Sequence, residues 1–593
     1  MADQEVVVVV EGVSHSVTSH PDFHVSESGI YEGNAPSIEG FICGLLCFEA
    51  IIKDMETGKQ EAILLGVDGT TNEVFSLQVP REELANDFQS SLAKKLMSRG
   101  LKIAPRKNGK LSEFLYTQRP NKVLLALKKT GWHQIKDMGW IFSYPGSAIG
   151  QGGVNCVLVP DAGNSSIDSI CCKGTLKEWQ DHVEIPFQNS PLSNFVLGVA
   201  FSAPLLSLLD MDGGGFHVHG LSTGGKTAVL QQAASVYGCG ADPSVSPERS
   251  SIFRWNTTQN AMEAMAMSRN DLLLCLDELG TSGVKNMGKA TYDLAGGVGK
   301  MRLNGSAEIR EPRRWKVTIL SCGEHSLYKE IRDTTGEDPR AGQQIRIIDL
   351  HVEKTIFVDD GQPDFADRIT TLKSDCGRYY GTPGREFIEY LVNNLANSED
   401  AVEELRRRHI EYVAMLSNDS LNQIQKRGLK RFAAALLALV LASEQEIITM
   451  SPETAFAAVQ AAIEVWVSEV DNISDLDRAI IRIKNAIVQN LNKFPDLHDG
   501  YFGAGGNFGY KHNSMYLLFP DKFEEMCGSV SAKTVAKELA NRNALFRNDS
   551  DGRGNQRSKS KHSVPDVGQQ IFYAIKAGFL DEGAPTPHVP VPF

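Results

Sequence analysis

The chain has 593 residues, 42% of them hydrophobic and 22% charged, with a formal net charge of −13. That length exceeds a single core and implies several domains of ordinary globular composition, while the acidic balance excludes a generally cationic coat for nucleic acid, so any such contact must be concentrated locally. No apolar run reaches the roughly 18–20 residues that a membrane span needs, which predicts a cytoplasmic protein without a membrane partner. The ten cysteines lack zinc-ligand spacing and read as buried reduced thiols.

Residues 1–35 mix Ser, His, Glu and Gly with little periodicity, which predicts a flexible leader. Residues 36–185 predict a β-rich α+β domain. Strands over 41–52 and 61–67 flank a Gly-containing loop at 55–59. A helix over 81–98 sets Leu84, Phe88, Leu92 and Leu96 on one face. Further strands follow over 123–143, where His133 beside Trp132 reads as a packed strand residue. No catalytic constellation is legible there.

Residues 186–384 alternate apolar runs with helices, the pattern of a mostly parallel sheet covered on both faces. The first run, 216–219, enters Gly220-Leu221-Ser222-Thr223-Gly224-Gly225-Lys226-Thr227 and is followed by a helix over 227–237. This fits G-x-x-x-x-G-K-[ST] in its required strand-to-helix setting. Backbone N–H groups over Gly220, Ser222, Thr223, Gly224 and Gly225 would cradle a phosphate chain, with Lys226 on the β- and γ-phosphates and Thr227 on Mg²⁺. The implied ligands are ATP and Mg²⁺. A second run, 251–255, precedes a helix that Thr258 can cap. The third, 272–276, ends in Asp277-Glu278, in the crevice where such sheets bind ligands. Asp277 suits a metal contact and Glu278 the polarisation of an attacking water.

After a helix over 286–295 come Gly296-Gly297-Val298-Gly299 and a predicted hairpin turning at Asn304-Gly305. Leu303 and Ile309 share one side of it; Lys300, Arg302 and Arg310 make it basic, and in a ring-shaped ATPase such a hairpin can grip a phosphate backbone. The fourth run, 315–320, ends at Ser321, and the fifth, 344–352, carries Arg346.

Residues 385–474 predict a helical lid, with helices over 385–394, 401–416, 429–444 and 452–470. Lys426-Arg427 and Lys430-Arg431 fall at the start of one of them, where cations oppose the helix dipole and an anionic partner is plausible. Residues 475–580 predict a winged-helix-like module: a helix over 476–491, a Gly/Tyr-rich hairpin region over 501–519, a candidate recognition helix over 532–541 capped by Ser531, and strands over 544–547 and 570–575. Across 542–561, Arg542, Arg547, Arg553, Arg557, Lys559 and Lys561 stand against Asp549 and Asp551. Arg553, Arg557 and Lys559 are the expected backbone contacts on DNA. Residues 581–593 read as an extended Pro-rich tail.

The stretches GFHVHGLSTGGKT (215–227), WNTTQN (255–260), NDLLLCLDELG (270–280), GGVGKMR (296–302), WKVTILSCGE (315–324) and AGQQIRIIDL (341–350), with TGWH (130–133) and YYGTPGREF (379–387) on either side, resemble a P-loop family of bacteria, phages and mobile elements. It is catalogued as domain of unknown function 927 and described as helicase-like. The resemblance covers about residues 120–450. It implies an AAA+-like P-loop ATPase core from a replication module, similar in plan to the superfamily-three and MCM-type helicases. It further implies Ser321 as a polar sensor and an arginine finger acting on the neighbouring subunit, Arg346 first and Arg340 second. The phosphate loop reads Ser-Thr-Gly-Gly where the family commonly has Ser-Ser-Thr-Gly, yet every position the motif fixes is present. The expectation is therefore an α/β protein with a P-loop core between a β-rich α+β domain and a helical, winged-helix-like region. Its expected function is that of a homo-oligomeric, hexameric DNA helicase on single-stranded or forked DNA, with a primase or single-strand-binding partner. The alternative is a nucleotide-switched replication initiator or loader.

Overall fold

A computed structural model of the chain describes residues 5–10, 13–54, 57–85, 89–159, 168–220, 224–300, 302–303, 309–310, 312–336, 339, 341–353, 355–419, 421–469, 475–499, 506–528, 530–546, 558–565 and 567–581. The amino-terminal part is built on a five-stranded sheet in the order Cys156–Leu158, Lys122–Leu127, Leu46–Asp54, Gln60–Val67, Val74–Pro80. Helices Gln89–Ser98 and Asn108–Thr117 cover it, burying Leu92 and Leu96 as their spacing predicts, together with Leu111 and Phe114.

Two expectations about this part are corrected. The leader contains strands, for Phe23–Ser26 pairs with Gly29–Glu32, which pairs with Phe41–Cys43, in an antiparallel sheet. Four-residue strands are too short to display a period. What holds them is distant, with Ile30 fully buried and the Phe23 ring edge-on to Phe114 at 5.5 Å. The boundary at 185 is likewise no boundary in packing. The sheet Gly131–Ile135, Gly139–Tyr144, Ser147–Ile149 puts Trp132, Phe142 and Tyr144 into the same core as Trp179, Phe195 and Phe216. Trp132 donates its ring N–H to Pro204 O (2.7 Å) and its backbone N–H to Asp271 Oδ2 (3.1 Å). Two of the cysteines expected inside, Cys171 and Cys172, are exposed.

The central sheet has five parallel strands: β1 (Gly214–Gly220), β2 (Ile252–Arg254), β3 (Leu273–Asp277), β4 (Thr318–Gly323) and β5 (Ile347–Val352), in the order β2-β3-β4-β1-β5. Every residue of β3 and β4 is buried. This explains their uninterrupted apolar runs, since each side chain, up or down, meets a covering layer. Leu273 and Cys275 face the layer containing helix Lys226–Ala234; Leu274 and Leu276 face the layer of helices Gln259–Ser268 and Met287–Gly296. All five strands end on the same side, so their carboxyl ends form one crevice and their amino ends another surface.

The helical segment is a core layer and not a lid. Gln423–Glu444 is buried almost continuously from Gly428 to Ala442 and packs with Pro452–Glu469 on Pro191–Phe201. An Ala/Leu-rich helix buried nearly all round has no free face with which to open and close. It starts at Gln423, six positions earlier than expected, because Asn422 and Gln425 form a reciprocal capping box; Lys426 and Arg427 thus lie inside the helix. Arg431 binds the carbonyls of Ile345 (3.0 Å), Asp212 (3.2 Å) and Gly213 (2.7 Å), so this helix meets the amino ends of β1 and β5.

The carboxyl-terminal module has a separate core beneath a four-stranded antiparallel sheet ordered Gly509–His512, Met515–Leu518, Gly568–Lys576, Ser560–Val564. Helices Asp475–Gln489, Pro520–Cys527 and Ala532–Asn541 pack on it, the last capped by Ser531 Oγ accepting from Thr534 N (3.2 Å). The strand expected over 544–547 is reduced to one bridge, Leu545 to Ile575.

Candidate functional site

The phosphate-loop segment leaves β1 at Gly220, whose φ is +142°. A Cβ there would stand 2.2 Å from the Val352 carbonyl, so only glycine lets β1 turn away alongside β5. Leu221, Ser222 and Thr223 lie outside the described residues. The chain re-enters at Gly224, whose carbonyl accepts from Ile356 N (3.0 Å). Gly225 follows at φ +79° as the N-cap of Lys226–Ala234, with Phe357 2.9 Å from where a Cβ would be. Lys226 is 6% exposed, and its Nζ donates to Gly220 O at 3.0 Å, turning the ammonium back to the end of β1. Thr227, half-buried, stands next to it on the first turn.

Asp277 ends β3, two strands from β1, with β4 between them. Its buried carboxylate accepts two bonds on Oδ1, from Glu278 N (2.9 Å) and from the Cys322 thiol (2.8 Å). Burial, and then Asp277, push the Cys322 thiol far above its ordinary range, so it stays protonated as a donor. Glu278 is exposed and left-handed at φ +57°, a conformation that costs a non-glycine residue about 1–3 kcal/mol and gathers at functional sites. Its backbone carbonyl accepts from Thr281 N (3.1 Å), and its carboxylate faces Arg254 at 3.9 Å.

Ser321 lies one residue before Cys322, so it points to the opposite face of β4. It is fully buried, taking the Trp255 ring N–H (2.7 Å) and meeting His217 Nδ1 (2.9 Å). His217 Nε2 binds the His325 carbonyl at 2.9 Å, which makes Nε2 the protonated nitrogen and leaves Nδ1 to accept from Ser321. Burial pushes this histidine down to about 3, so it is neutral. The polar β4 atom that reaches Asp277 is therefore Cys322 Sγ. Read as one of ten buried thiols, it carried no signal in the sequence beyond its place at a strand end.

The other expected residues are distributed elsewhere. Arg346 immediately precedes β5, at the end of the sheet opposite Lys226, with its guanidinium over the Tyr292 ring at 3.8 Å; Arg340 lies outside the described residues. Arg302–Leu303 and Ile309–Arg310 pair antiparallel, Arg302 opposite Arg310, while Asn304-Gly305 falls outside the described residues. The base of this ribbon is fixed by Gly299 N to Arg313 O (2.8 Å) and Trp315 N to Gly297 O (2.9 Å), and Lys300 Nζ donates to Gln259 Oε1. Arg553 and Arg557 lie outside the described residues, and Lys559 sits over the Tyr573 ring at 5.1 Å. Helix Ala532–Asn541 buries Val535, Ala536 and Leu539 and exposes Lys533 and Lys537, two cations one turn apart that the sequence reading passed over. Their i, i+4 spacing opposite the apolar positions was the available signal.

Residues 23–314 match the family model described as "Domain of unknown function (DUF927)". Over this span the chain belongs to the DUF927 family. The matched span includes β1 to β3 and the basic ribbon, and it stops before β4. No curated protein matches the chain. Among solved structures it is similar to "SCCmec type IV Cch - active helicase", with a TM-score of 0.70 and 18% identity over 95% of this chain and 99% of that one. The mixed α/β fold is thus shared beyond the DUF927 span, through the helical layer and the carboxyl-terminal module. Among the described residues no helix is long and apolar enough to cross a membrane, and no group of three or more His, Cys, Asp or Glu could hold a metal ion. Mg²⁺ bound through phosphates needs only one or two protein ligands, and a hydroxyl with a carboxylate, Thr227 with Asp277, meets that requirement.

Proposed function

We propose that the chain is an ATP-hydrolysing motor that binds DNA and works as a ring-shaped replicative helicase of a phage or mobile genetic element. One observation carries the reading: a buried lysine on a glycine-capped helix and a buried Asp followed by a strained Glu occupy the carboxyl ends of one parallel sheet. The strand order β2-β3-β4-β1-β5 supports an AAA+ arrangement, and the shared fold with a protein titled an active helicase supports the motor.

Gly220, Ser222, Thr223, Gly224 and Gly225 hold the phosphate chain through backbone N–H groups, and Lys226 neutralises its distal charge. Thr227 and Asp277 hold Mg²⁺, which when bound draws off charge from the phosphate being transferred. The Cys322 thiol and the Glu278 N–H both donate to Asp277 Oδ1, which holds the carboxylate and would leave Oδ2 for a metal. Glu278 accepts the proton of the attacking water. Arg346, remote from Lys226 in its own chain, acts on the site of the next copy, which makes hydrolysis depend on oligomerisation. Lys300, Arg302 and Arg310 on the ribbon and Lys559, Arg553 and Arg557 in the carboxyl-terminal module contact the DNA backbone.

The test is fork unwinding with ATP and Mg²⁺ beside a Glu278→Gln control, with oligomeric state read by sedimentation. Unwinding that the control abolishes supports the motor. Hydrolysis with fork binding but no unwinding would move the function to a nucleotide-switched initiator or loader, and no hydrolysis would refute both.

A further inference from the structure

At the end of the core sheet away from the phosphate loop, a cavity of about 860 Å³ opens between the amino end of β5, Tyr292, and helices Ala401–Leu416 and Gln423–Glu444. Five cations line it, Arg346, Arg406, Arg427, Lys430 and Arg431, against two acids, Asp210 and Asp212. These cations are held in different ways. Arg431 is spent on the three carbonyls of Ile345, Asp212 and Gly213, and Arg406 on the Leu208 carbonyl (3.0 Å) and Glu403 (2.7 Å). Arg427 and Lys430 are exposed, one turn apart on the same helix face, and make no ion pair among the described residues. Arg346 stacks on Tyr292 and keeps a buried Nη1 without a hydrogen-bond partner among the described residues, while Tyr292 as a whole is 49% exposed.

An orphaned guanidinium N–H, two unpaired cations and net positive charge in one concavity raise the free energy of the empty site, and an anion lowers it. The volume exceeds what a lone phosphate fills and suits a nucleotide. A half-exposed aromatic ring beside phosphate-binding cations is also what stacking on a base requires. We infer that this basin binds the phosphate chain of a nucleoside polyphosphate, Arg346, Arg427 and Lys430 on the phosphates and Tyr292 against the base. Two sources supply that chemistry: free nucleotide, and the triphosphate on the phosphate loop of a second copy. The second source alone rests on the oligomer proposed above.

Binding is read with a fluorescent ATP derivative on full-length Lys226→Ala protein at low salt, where the phosphate loop contributes little. If free nucleotide is the source, this protein binds saturably, and adding Arg427→Glu with Lys430→Glu weakens binding at least tenfold. If a second copy is the source, Lys226→Ala protein does not bind, and the same pair in the otherwise unaltered chain raises at least tenfold the ATP concentration needed for assembly. Tyr292→Ala should act in the same arm more weakly, and an unchanged urea midpoint excludes misfolding. No effect of the charge reversal in either arm overturns the inference, as does an effect confined to single-stranded DNA. Should the unaltered chain fail to hydrolyse ATP while the reversal still removes nucleotide binding, the motor falls and the basin stands.

Discussion

The two ends of the central sheet gather positive charge by opposite means. At the carboxyl ends, the proposed phosphate site is built mainly from backbone: Gly220 and Gly225 in conformations that exclude a Cβ, a helix N-terminus, and one buried lysine. At the amino ends it is set by side chains from separate helices, and part of that charge is structural, as the three carbonyl bonds of Arg431 demonstrate. Chemistry needs fixed atoms, which backbone and short side chains provide; capture of an outside anion needs only charge and room. On the proposed function, the difference separates groups whose loss should stop turnover from groups whose loss should unfold the chain or weaken binding.

The sharpest way to break this contrast is Glu278→Gln, expected to slow ATP hydrolysis by about 10²–10⁴-fold while nucleotide binding persists. An unaltered rate would strip the carboxyl end of its chemistry. Next comes Arg431→Ala, which takes its donor from the part-buried carbonyls of Ile345 and Gly213 and the exposed one of Asp212, at about 1–3 kcal/mol each where water cannot replace it. Urea unfolding should register several kcal/mol, against about 0.5 kcal/mol or less for exposed Arg427→Ala. Equal effects would erase the division between structural and ligand-facing cations.

Acidification should destabilise both ends. Burial lowers His217 to about 3 from 6.5 and lowers His409, beside the basin, in the same direction. Below about 6.5 the unfolded chain binds protons that the folded one refuses, so stability falls as pH drops, by at most about 1.4 kcal/mol per pH unit for each group. His217→Asn should remove only its share of the slope in urea midpoints between pH 7 and pH 5. Smallest is Thr258→Ala, which deletes the cap accepting from Ala261 N (3.3 Å) after β2 and should cost about 1 kcal/mol of stability with little change in turnover.

How far these regions could be read from the sequence follows from how they are assembled. The phosphate loop is contiguous, Asp277-Glu278 follows a pure apolar run, and all five core strands were anticipated to within a few residues, because burial on both faces leaves an uninterrupted signal. The basin draws on residues from 209 to 431; the sequence reading met its cations singly, Arg346 as a finger and Lys426-Arg427 and Lys430-Arg431 as misplaced cations on a helix. The strands near Phe23 and the docking of Trp132 on Asp271 and Pro204 depend on partners far along the chain, which no local period encodes. Nor could spacing reveal which β4 side chain meets Asp277, because the pleat sends Ser321 and Cys322 to opposite faces.

The most direct measurement of the central claim is steady-state ATP hydrolysis with Mg²⁺ and single-stranded DNA by the unaltered chain and by Lys226→Ala at equal folded concentration. The expected result is DNA-stimulated turnover in the first and at least a hundredfold less in the second. Equal rates would contradict the account.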